Sequence, residues 1–88
     1  MSLKKISVLA IDDDSGDLKL LEIHLGRISS LEISFTAAKS WDEASELMEN
    51  NSIDIIFIDY LLGAETGGDI VKAIRDSGDE RPIILLTG

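Results

Sequence analysis

The chain has 88 residues, with 17 acidic and 8 basic side chains, a net charge of −9 and no cysteine. This length allows one small domain. The acidity argues against nucleic-acid binding, because a phosphate backbone would be repelled. The absence of cysteine excludes disulfides and cysteine-based zinc sites. No apolar run approaches the roughly 20 residues of a membrane span, so we expect a cytoplasmic protein without membrane association.

The first third of the chain shows a strand-like pattern, a helix-like pattern and a second strand-like pattern. Residues 6–11 form a short run that is almost wholly apolar, which is typical of a strand covered on both faces. Asp14 or Ser15 can cap the helix that follows. Residues 31–36 alternate apolar and polar side chains, which predicts a strand with one polar face. The helix between them has apolar residues three and four apart, at Leu18, Leu21, Leu25 and Ile28.

The rest of the chain continues the alternation. A capping box beginning at Ser40 predicts a second helix. Residues 53–58 form the most apolar stretch, interrupted by Asp54, and residues 83–86 are wholly apolar; both predict strands. A third helix is predicted between them at residues 67–77. The β-α-β-α-β-α-β order predicts a parallel sheet with right-handed crossovers and helices on both faces.

Polar side chains follow three of the predicted strands, where each strand ends. Asp12 and Asp13 follow the first strand, Asp59 the third and Thr87 the fourth. Because ligands of parallel α/β sheets bind at the carboxyl ends of the strands, we expect these residues to lie close together. Clustered carboxylates are tolerated when a cation lies among them, and all-oxygen ligands select a hard ion such as Mg²⁺. Helix capping by Asp12 and Asp13, and a plain polar strand end at Asp59, are the alternatives.

Three strand-end motifs resemble the receiver domains of two-component response regulators. They are Ile-Asp-Asp-Asp at residues 11–14, Phe-Ile-Asp-Tyr at residues 57–60 and Leu-Leu-Thr-Gly at residues 85–88. Gly67, eight residues after Asp59, stands where that family commonly has a glycine. The resemblance covers essentially the whole chain. It implies a flavodoxin-like, three-layer α/β sandwich with a parallel sheet in the strand order 2-1-3-4.

The resemblance also implies a role for each residue of the cluster. By position, Asp59 is the phosphoacceptor, and Asp12, Asp13, Asp59 and the backbone carbonyl of Leu61 are the Mg²⁺ ligands. Thr87 matches the switch hydroxyl that bonds a phosphoryl oxygen. The implied chemistry is an in-line attack of a carboxylate oxygen on phosphorus, with Mg²⁺ neutralising the developing charge. Such a domain promotes its own phosphorylation but is a switch, not a turnover enzyme.

A histidine kinase or a phosphotransfer protein is the partner that the resemblance implies. The family docks kinase helices on its first helix, where Leu20, Ile23 and His24 lie off the apolar stripe. Scattered apolar surface residues without any role explain these side chains equally well. The residues around His24 lack a phosphotransfer pattern, so we interpret it as an exposed helix residue and not as a phosphohistidine site.

The chain departs from the family pattern in two places. Gly63 stands where many members have proline. The chain ends at Gly88, before the fifth strand, the lysine that ends that strand and pairs with the phosphoryl group, and the last helix. We therefore expect residues 1–88 to form a receiver domain that is incomplete at its C-terminus. The open edge of the fourth strand then predicts a homodimer.

Two other functions stay open at this point. One is a phosphorylation-independent, truncated receiver that acts as a dimerisation or kinase-sequestering module. The other is an aspartyl-phosphate phosphohydrolase of the haloacid-dehalogenase type, which needs a second aspartate two residues after the nucleophile; this chain has Leu61 there. The sequence does not identify the cognate kinase, the output domain or the pathway.

Overall fold

The computed structural model of the chain describes residues 3–62 and 65–86. Gly63 and Thr87, which the sequence analysis singled out, lie outside these ranges. No helix within them is long and apolar enough to cross a membrane. The elements are, in chain order, β1 (Lys4–Ile11), α1 (Ser15–Gly26), β2 (Leu31–Ala38), α2 (Trp41–Asn50), β3 (Ile55–Asp59), β4 (Leu61–Leu62), β5 (Glu65–Thr66), α3 (Gly67–Asp76) and β6 (Ile83–Leu86).

Four of the strands form one parallel sheet in the order β2-β1-β3-β6. The predicted fourth strand is β6, so the predicted order 2-1-3-4 is confirmed. β1 and β3 are neighbours in this sheet, and Asp59 at the end of β3 pairs with Leu86 of β6. The carboxyl ends of β1, β3 and β6 therefore meet at one edge of the sheet.

The strands β4 and β5 form a small antiparallel hairpin that the sequence analysis did not predict. Leu61 pairs with Thr66 and Leu62 pairs with Glu65. The hairpin begins two residues after Asp59 and leads directly into α3, whose first residue is Gly67. Its two strands thus lie next to the end of β3 and the start of α3.

The main core lies between the sheet and the two helices α2 and α3. Apolar residues at alternate positions of β1 and β3 lie in one buried cluster with residues of α2 and α3, as expected for strands buried within a layered α/β fold. At about 25 cal/mol per Å² of apolar area, burying each such isoleucine or leucine contributes roughly 1.5 to 3 kcal/mol. The largest fully buried side chains of this core are Leu9, Ile11, Ile56, Ile58, Ile70 and Ile74.

Helix α1 covers the opposite face of the sheet. Leu18 and Leu21 of α1 line a common cavity with Ala10 and Phe57, which point away from the main core. The predicted apolar stripe is confirmed where it lies inside the helix, since Leu18 is buried and Leu21 is half-buried. Ile28 is the exception: it lies beyond the end of α1 and is 39% exposed. Helices on both faces make the fold the expected three-layer, flavodoxin-like sandwich.

Asp54 explains why β3 begins later than the apolar run predicts. Its backbone N–H donates to the carbonyl of Ser7 (2.8 Å), and its Oδ2 accepts the backbone N–H of Ser7 (2.7 Å). The side chain thus takes the place of a strand partner for β1. Asp54 closes the amino end of the sheet, and regular pairing starts at Ile55.

An arginine–aspartate pair holds the turn that precedes β6. The Nε of Arg81 donates to Oδ2 of Asp79 (2.9 Å), and its Nη1 donates to the carbonyl of Ile53 (3.3 Å). Arg75 donates through Nη1 to the carbonyls of Asp79 (2.8 Å) and Arg81 (2.9 Å). The pKa of Asp79 is lowered below 3.8, mainly because its carboxylate accepts hydrogen bonds from the Arg81 guanidinium. The hydrogen bond from the Arg81 backbone N–H and the positive charge of Arg81 lower this pKa further, whereas partial burial of Asp79 raises it. The pair ties the start of β6 to the start of β3.

Candidate functional site

Three aspartates meet at the carboxyl edge of the sheet. The structure places a carboxylate oxygen of Asp12, one of Asp13 and one of Asp59 within 4.8 Å of one another. Asp12 and Asp13 follow β1, and Asp59 ends the neighbouring strand β3. The predicted convergence of the three aspartates is confirmed, and its cause is the parallel pairing of these two strands. Three such oxygens are close enough together to share one cation.

Asp12 is the buried member of the cluster. It is 7% exposed, its N–H donates to the carbonyl of Ala38 (3.0 Å), and its Oδ1 accepts the N–H of Asp14 (2.9 Å). Burial raises the pKa of Asp12 above 3.8; the Asp14 N–H opposes this, and the charges of Asp59, Asp17 and Asp13 add to it. The negative charge at Asp12 is therefore unfavourable unless a cation compensates it.

Of the three consecutive aspartates 12–14, Asp14 is the one that caps α1. Asp14 is the N-cap, since its Oδ1 accepts the N–H of Gly16 (2.7 Å) and the N–H of Asp17 (3.1 Å). Asp12 makes no contribution to this cap, because its bonds go to Asp14 and Ala38. The helix-capping alternative thus applies to Asp14, and Asp12 and Asp13 stay available for a ligand.

The chain after Asp59 is held from both sides. The N–H of Tyr60 donates to the carbonyl of Leu86 (2.9 Å), and the N–H of Gly67 donates to the carbonyl of Tyr60 (2.7 Å). Leu61 follows in β4; the residue is 70% exposed and pairs with Thr66. A role of its carbonyl as a metal ligand stays a prediction. The switch role of Thr87 also stays a prediction, because Thr87 lies outside the described residues.

A cavity of about 200 Å³ opens next to the aspartates on the α1 face. Asp17, in the first turn of α1, lines it together with Asp12 and Asp59, and the sequence analysis missed this residue. Its position five residues after Asp12, on the helix that starts at the same edge of the sheet, is the signal that would have found it. The other lining residues are apolar: Ala10, Ile11, Leu18, Leu21, Phe57 and Leu86.

The three docking candidates lie on the outer surface of α1. Leu20 is 55% exposed and Ile23 is 42% exposed, and His24 is also exposed. Two large apolar side chains spaced three residues apart on one helix form a small apolar patch. The structure is therefore compatible with docking there.

Residues 8–88 match the family model described as response regulator receiver domain. The chain is similar to response regulator protein PilR of Pseudomonas aeruginosa, with 28% identity over 85 residues, which are 97% of this chain and 18% of that protein. It is also similar to regulatory protein VanR of Enterococcus faecium, with 32% identity over 81 residues, which are 92% of this chain and 33% of that protein. The chain thus spans only 18% and 33% of the lengths of these two relatives.

Solved receiver structures share the fold. The receiver domain of the Francisella response regulator 1452 superposes with a TM-score of 0.81 at 27% identity, over 93% of this chain and 65% of that one. The response regulator TrrA of Thermotoga maritima, solved in complex with Mg²⁺–BeF, superposes with a TM-score of 0.79 at 26% identity, over 93% of this chain and 69% of that one.

Proposed function

The chain belongs to the response regulator receiver domain family, and from this premise we propose that Asp59 accepts a phosphoryl group with Mg²⁺ as the cofactor. Receiver domains of this family interact with histidine kinases or phosphotransfer proteins, and we propose such a protein as the phosphoryl donor. The observation that carries the proposal is the approach of three aspartate oxygens to within 4.8 Å at the ends of adjacent strands.

The donor set fits a magnesium ion. Mg²⁺ prefers oxygen ligands, and three carboxylate oxygens within 4.8 Å of one another are close enough to approach a single ion. Asp12, Asp13, Asp59 and the backbone carbonyl of Leu61 would hold it. The similar protein TrrA was solved with Mg²⁺–BeF, which supports the same ion here. When bound, Mg²⁺ neutralises negative charge on the transferred phosphoryl group.

Asp59 is the acceptor that the surroundings of the aspartates favour. Asp12 is buried and bonded to the backbone, Asp14 caps α1, and Asp54 lies at the other end of β3. Asp59 is half-buried, and the chain on both sides of it is fixed. One of its carboxylate oxygens forms a bond to phosphorus as the P–N bond of a phosphohistidine breaks, and the electron pair leaves with the imidazole.

The acceptor is tested by chemical phosphorylation. The chain is incubated with acetyl phosphate and Mg²⁺, the acyl phosphate is reduced with borohydride, and the modified residue is mapped by mass spectrometry. We expect label at Asp59 and none in Asp59→Asn. Label at Asp54 or Asp14 would reject the assignment. If the 88-residue chain takes no label, the reaction is repeated on a chain extended through the lysine that the family has at the end of its fifth strand. Labelling regained there would support Asp59, and a folded, Mg²⁺-binding extended chain that takes no label would favour the phosphorylation-independent module.

The metal site is tested by titration with Mg²⁺, followed through backbone amide shifts. Loss of a direct ligand in Asp13→Asn should weaken binding by at least about tenfold. Asp54→Asn is the matched control, because Asp54 is also an exposed aspartate but lies at the opposite end of the sheet. If Asp13→Asn binds Mg²⁺ as well as the wild type, the ion is not held where we place it.

The docking surface is tested separately from the chemistry. Phosphotransfer profiling against the histidine kinases of the same genome identifies the preferred donor. Replacing Leu20 and Ile23 by serine should slow transfer from that kinase and leave labelling by acetyl phosphate unchanged. His24→Ala should have a smaller effect, because it removes less apolar area. Equal transfer to all variants would show that the apolar patch on α1 has no role in docking.

A further inference from the structure

The start of α3 lies against the main chain of the proposed acceptor. Gly67, the first residue of α3, is buried, and a Cβ added to it would lie 2.6 Å from the backbone oxygen of Asp59. The same Cβ would lie 2.9 Å from Cα of Tyr60 and 2.7 Å from Cδ1 of Leu85. Gly67 has an ordinary helical backbone, so the requirement for glycine comes from space and not from conformation.

Neither partner in this contact can move freely. The buried side chains of Ile70 and Ile74 anchor α3 in the main core, and a capping box between Thr66 and Asp69 fixes its first turn. Displacing the helix would disturb this packing, which is destabilising in a well-packed core. On the other side are backbone atoms, which cannot rotate away as the end of a side chain can.

We propose that Gly67 is a positioning residue for the acceptor, because it lets α3 hold the main chain of Asp59 at the distance the metal site requires. This inference rests on the proposed function of Asp59. Ordinary contact begins at 3.4 Å, so a Cβ and the Asp59 oxygen would have to separate by most of an ångström. Asp59 is joined to β6 on its other side, so the displacement would change its position relative to Asp12 and Asp13.

Gly68 supplies a matched control within the same helix. A Cβ added there meets only Oγ1 of Thr66 at 3.7 Å and Cε2 of Tyr60 at 4.0 Å, which are ordinary contacts. Gly67→Ala and Gly68→Ala therefore make the same chemical change in the first turn of α3. They differ in whether the new carbon contacts the backbone of the acceptor.

The experiment compares the two alanine variants in metal-free amide spectra, in Mg²⁺ affinity and in labelling of Asp59 by acetyl phosphate. Misplacing a reacting group by about 1 Å can cost a factor of about 100, so we expect Gly67→Ala to lose at least about tenfold in Mg²⁺ affinity and in labelling rate. Its metal-free amide shifts should change at Asp12 and Asp13, which are not among the nearest neighbours of the new carbon. Gly68→Ala should stay within about twofold of the wild type.

A double variant separates the backbone contact from the side-chain contact. Leu85→Ala removes the side-chain contact with the new methyl group but leaves the two backbone contacts, so it should restore part of the stability of Gly67→Ala but not its Mg²⁺ affinity. If the single variant Gly67→Ala does not fold, Mg²⁺ affinity and labelling are compared between Leu85→Ala and the double variant instead. Trimethylamine N-oxide is then added to both proteins to favour the folded state.

Two results would overturn the inference. One is a folded Gly67→Ala protein that binds Mg²⁺ and takes label within about twofold of the wild type, since Gly67 would then serve packing alone. The other is full recovery of Mg²⁺ affinity in the double variant, which would assign the effect to the Leu85 side chain. A wild-type chain that binds no Mg²⁺, or an Asp13→Asn variant that binds it normally, would instead contradict the proposed function.

Discussion

Replacing Asp12 by asparagine should stabilise the metal-free domain at neutral pH. Asp12 is 7% exposed, and oxygens of Asp13 and Asp59 lie within 4.8 Å of it. Two unit charges at that separation repel each other by about 1 kcal/mol in bulk water and by about 3 kcal/mol at an effective dielectric constant of about 20. Asparagine keeps the shape, and its Oδ1 can still accept the Asp14 N–H. We therefore expect the free energy of unfolding to rise by about 1–3 kcal/mol.

The stabilisation should depend on pH in a defined direction. Burial, assisted by the neighbouring charges, raises the pKa of Asp12 above its ordinary value of 3.8. When a carboxyl group has a higher pKa in the folded state than in the unfolded state, its protonation favours folding. This contribution is fully present at a pH below the pKa of the unfolded state, and it is lost as the pH rises through the pKa of the folded state. The difference between Asp12→Asn and the wild type should therefore be largest at neutral pH and vanish below about pH 3.8.

Mg²⁺ should oppose the effect of the substitution. A ligand at about 100 times its Kd stabilises the folded state by about 2.7 kcal/mol, and Asp12→Asn, which lacks one carboxylate, should gain less than the wild type. Urea denaturation followed by circular dichroism, with and without Mg²⁺, measures both effects. Asp54→Asn is the control: it also changes an aspartate that accepts a backbone N–H, but outside the cluster. A metal-free Asp12→Asn protein less stable than the wild type at pH 7 would refute the reasoning.

Two further predictions follow from other parts of the fold. Arg81→Met should lower the free energy of unfolding by about 1–3 kcal/mol, because it removes the charged donors to Asp79. That contribution should be present above pH 3.8 and lost as the pH falls through the lowered pKa of Asp79, which urea denaturation across pH 3 to 7 would show. The 88-residue chain should also self-associate at micromolar concentration, because Ile84 and Leu85, each 41% exposed, lie on β6 at the edge of the described sheet. Light scattering coupled to size exclusion measures this, and a stable monomer of 9.6 kDa would contradict it.

The sequence predicted the sheet because its strands have a strong local signal. The run at residues 83–86 is apolar throughout, and the runs at residues 6–11 and 53–58 each have a single interruption, at Ser7 and Asp54. Each run is separated from the next by a helix pattern with its own cap, which leaves a parallel sheet as the solution. The convergence of Asp12 and Asp59 then followed from the rule for strand ends.

The features that the sequence analysis missed depend on contacts between distant segments. The hairpin β4–β5 has two residues in each strand, too few for a periodic pattern, and it is defined by its pairing alone. Asp54 looks like an interruption in the sequence, yet it continues the sheet through a bond to Ser7, 47 residues away. The unequal burial of Asp12 and Asp13 depends on how the chain turns from β1 into α1, which composition does not show.

The aspartate cluster and the contact at Gly67 should affect stability in opposite ways. The cluster holds like charges together, so removing the charge of Asp12 relieves repulsion in the metal-free state while it removes a ligand. The contact at Gly67 holds the acceptor backbone in place, so filling that space should lower stability and metal affinity together. Substitutions at the two places are therefore distinguished by measuring the free energy of unfolding without metal and the affinity for Mg²⁺. A site that loses Mg²⁺ affinity while the metal-free fold becomes more stable acts through charge, and one that loses both acts through position.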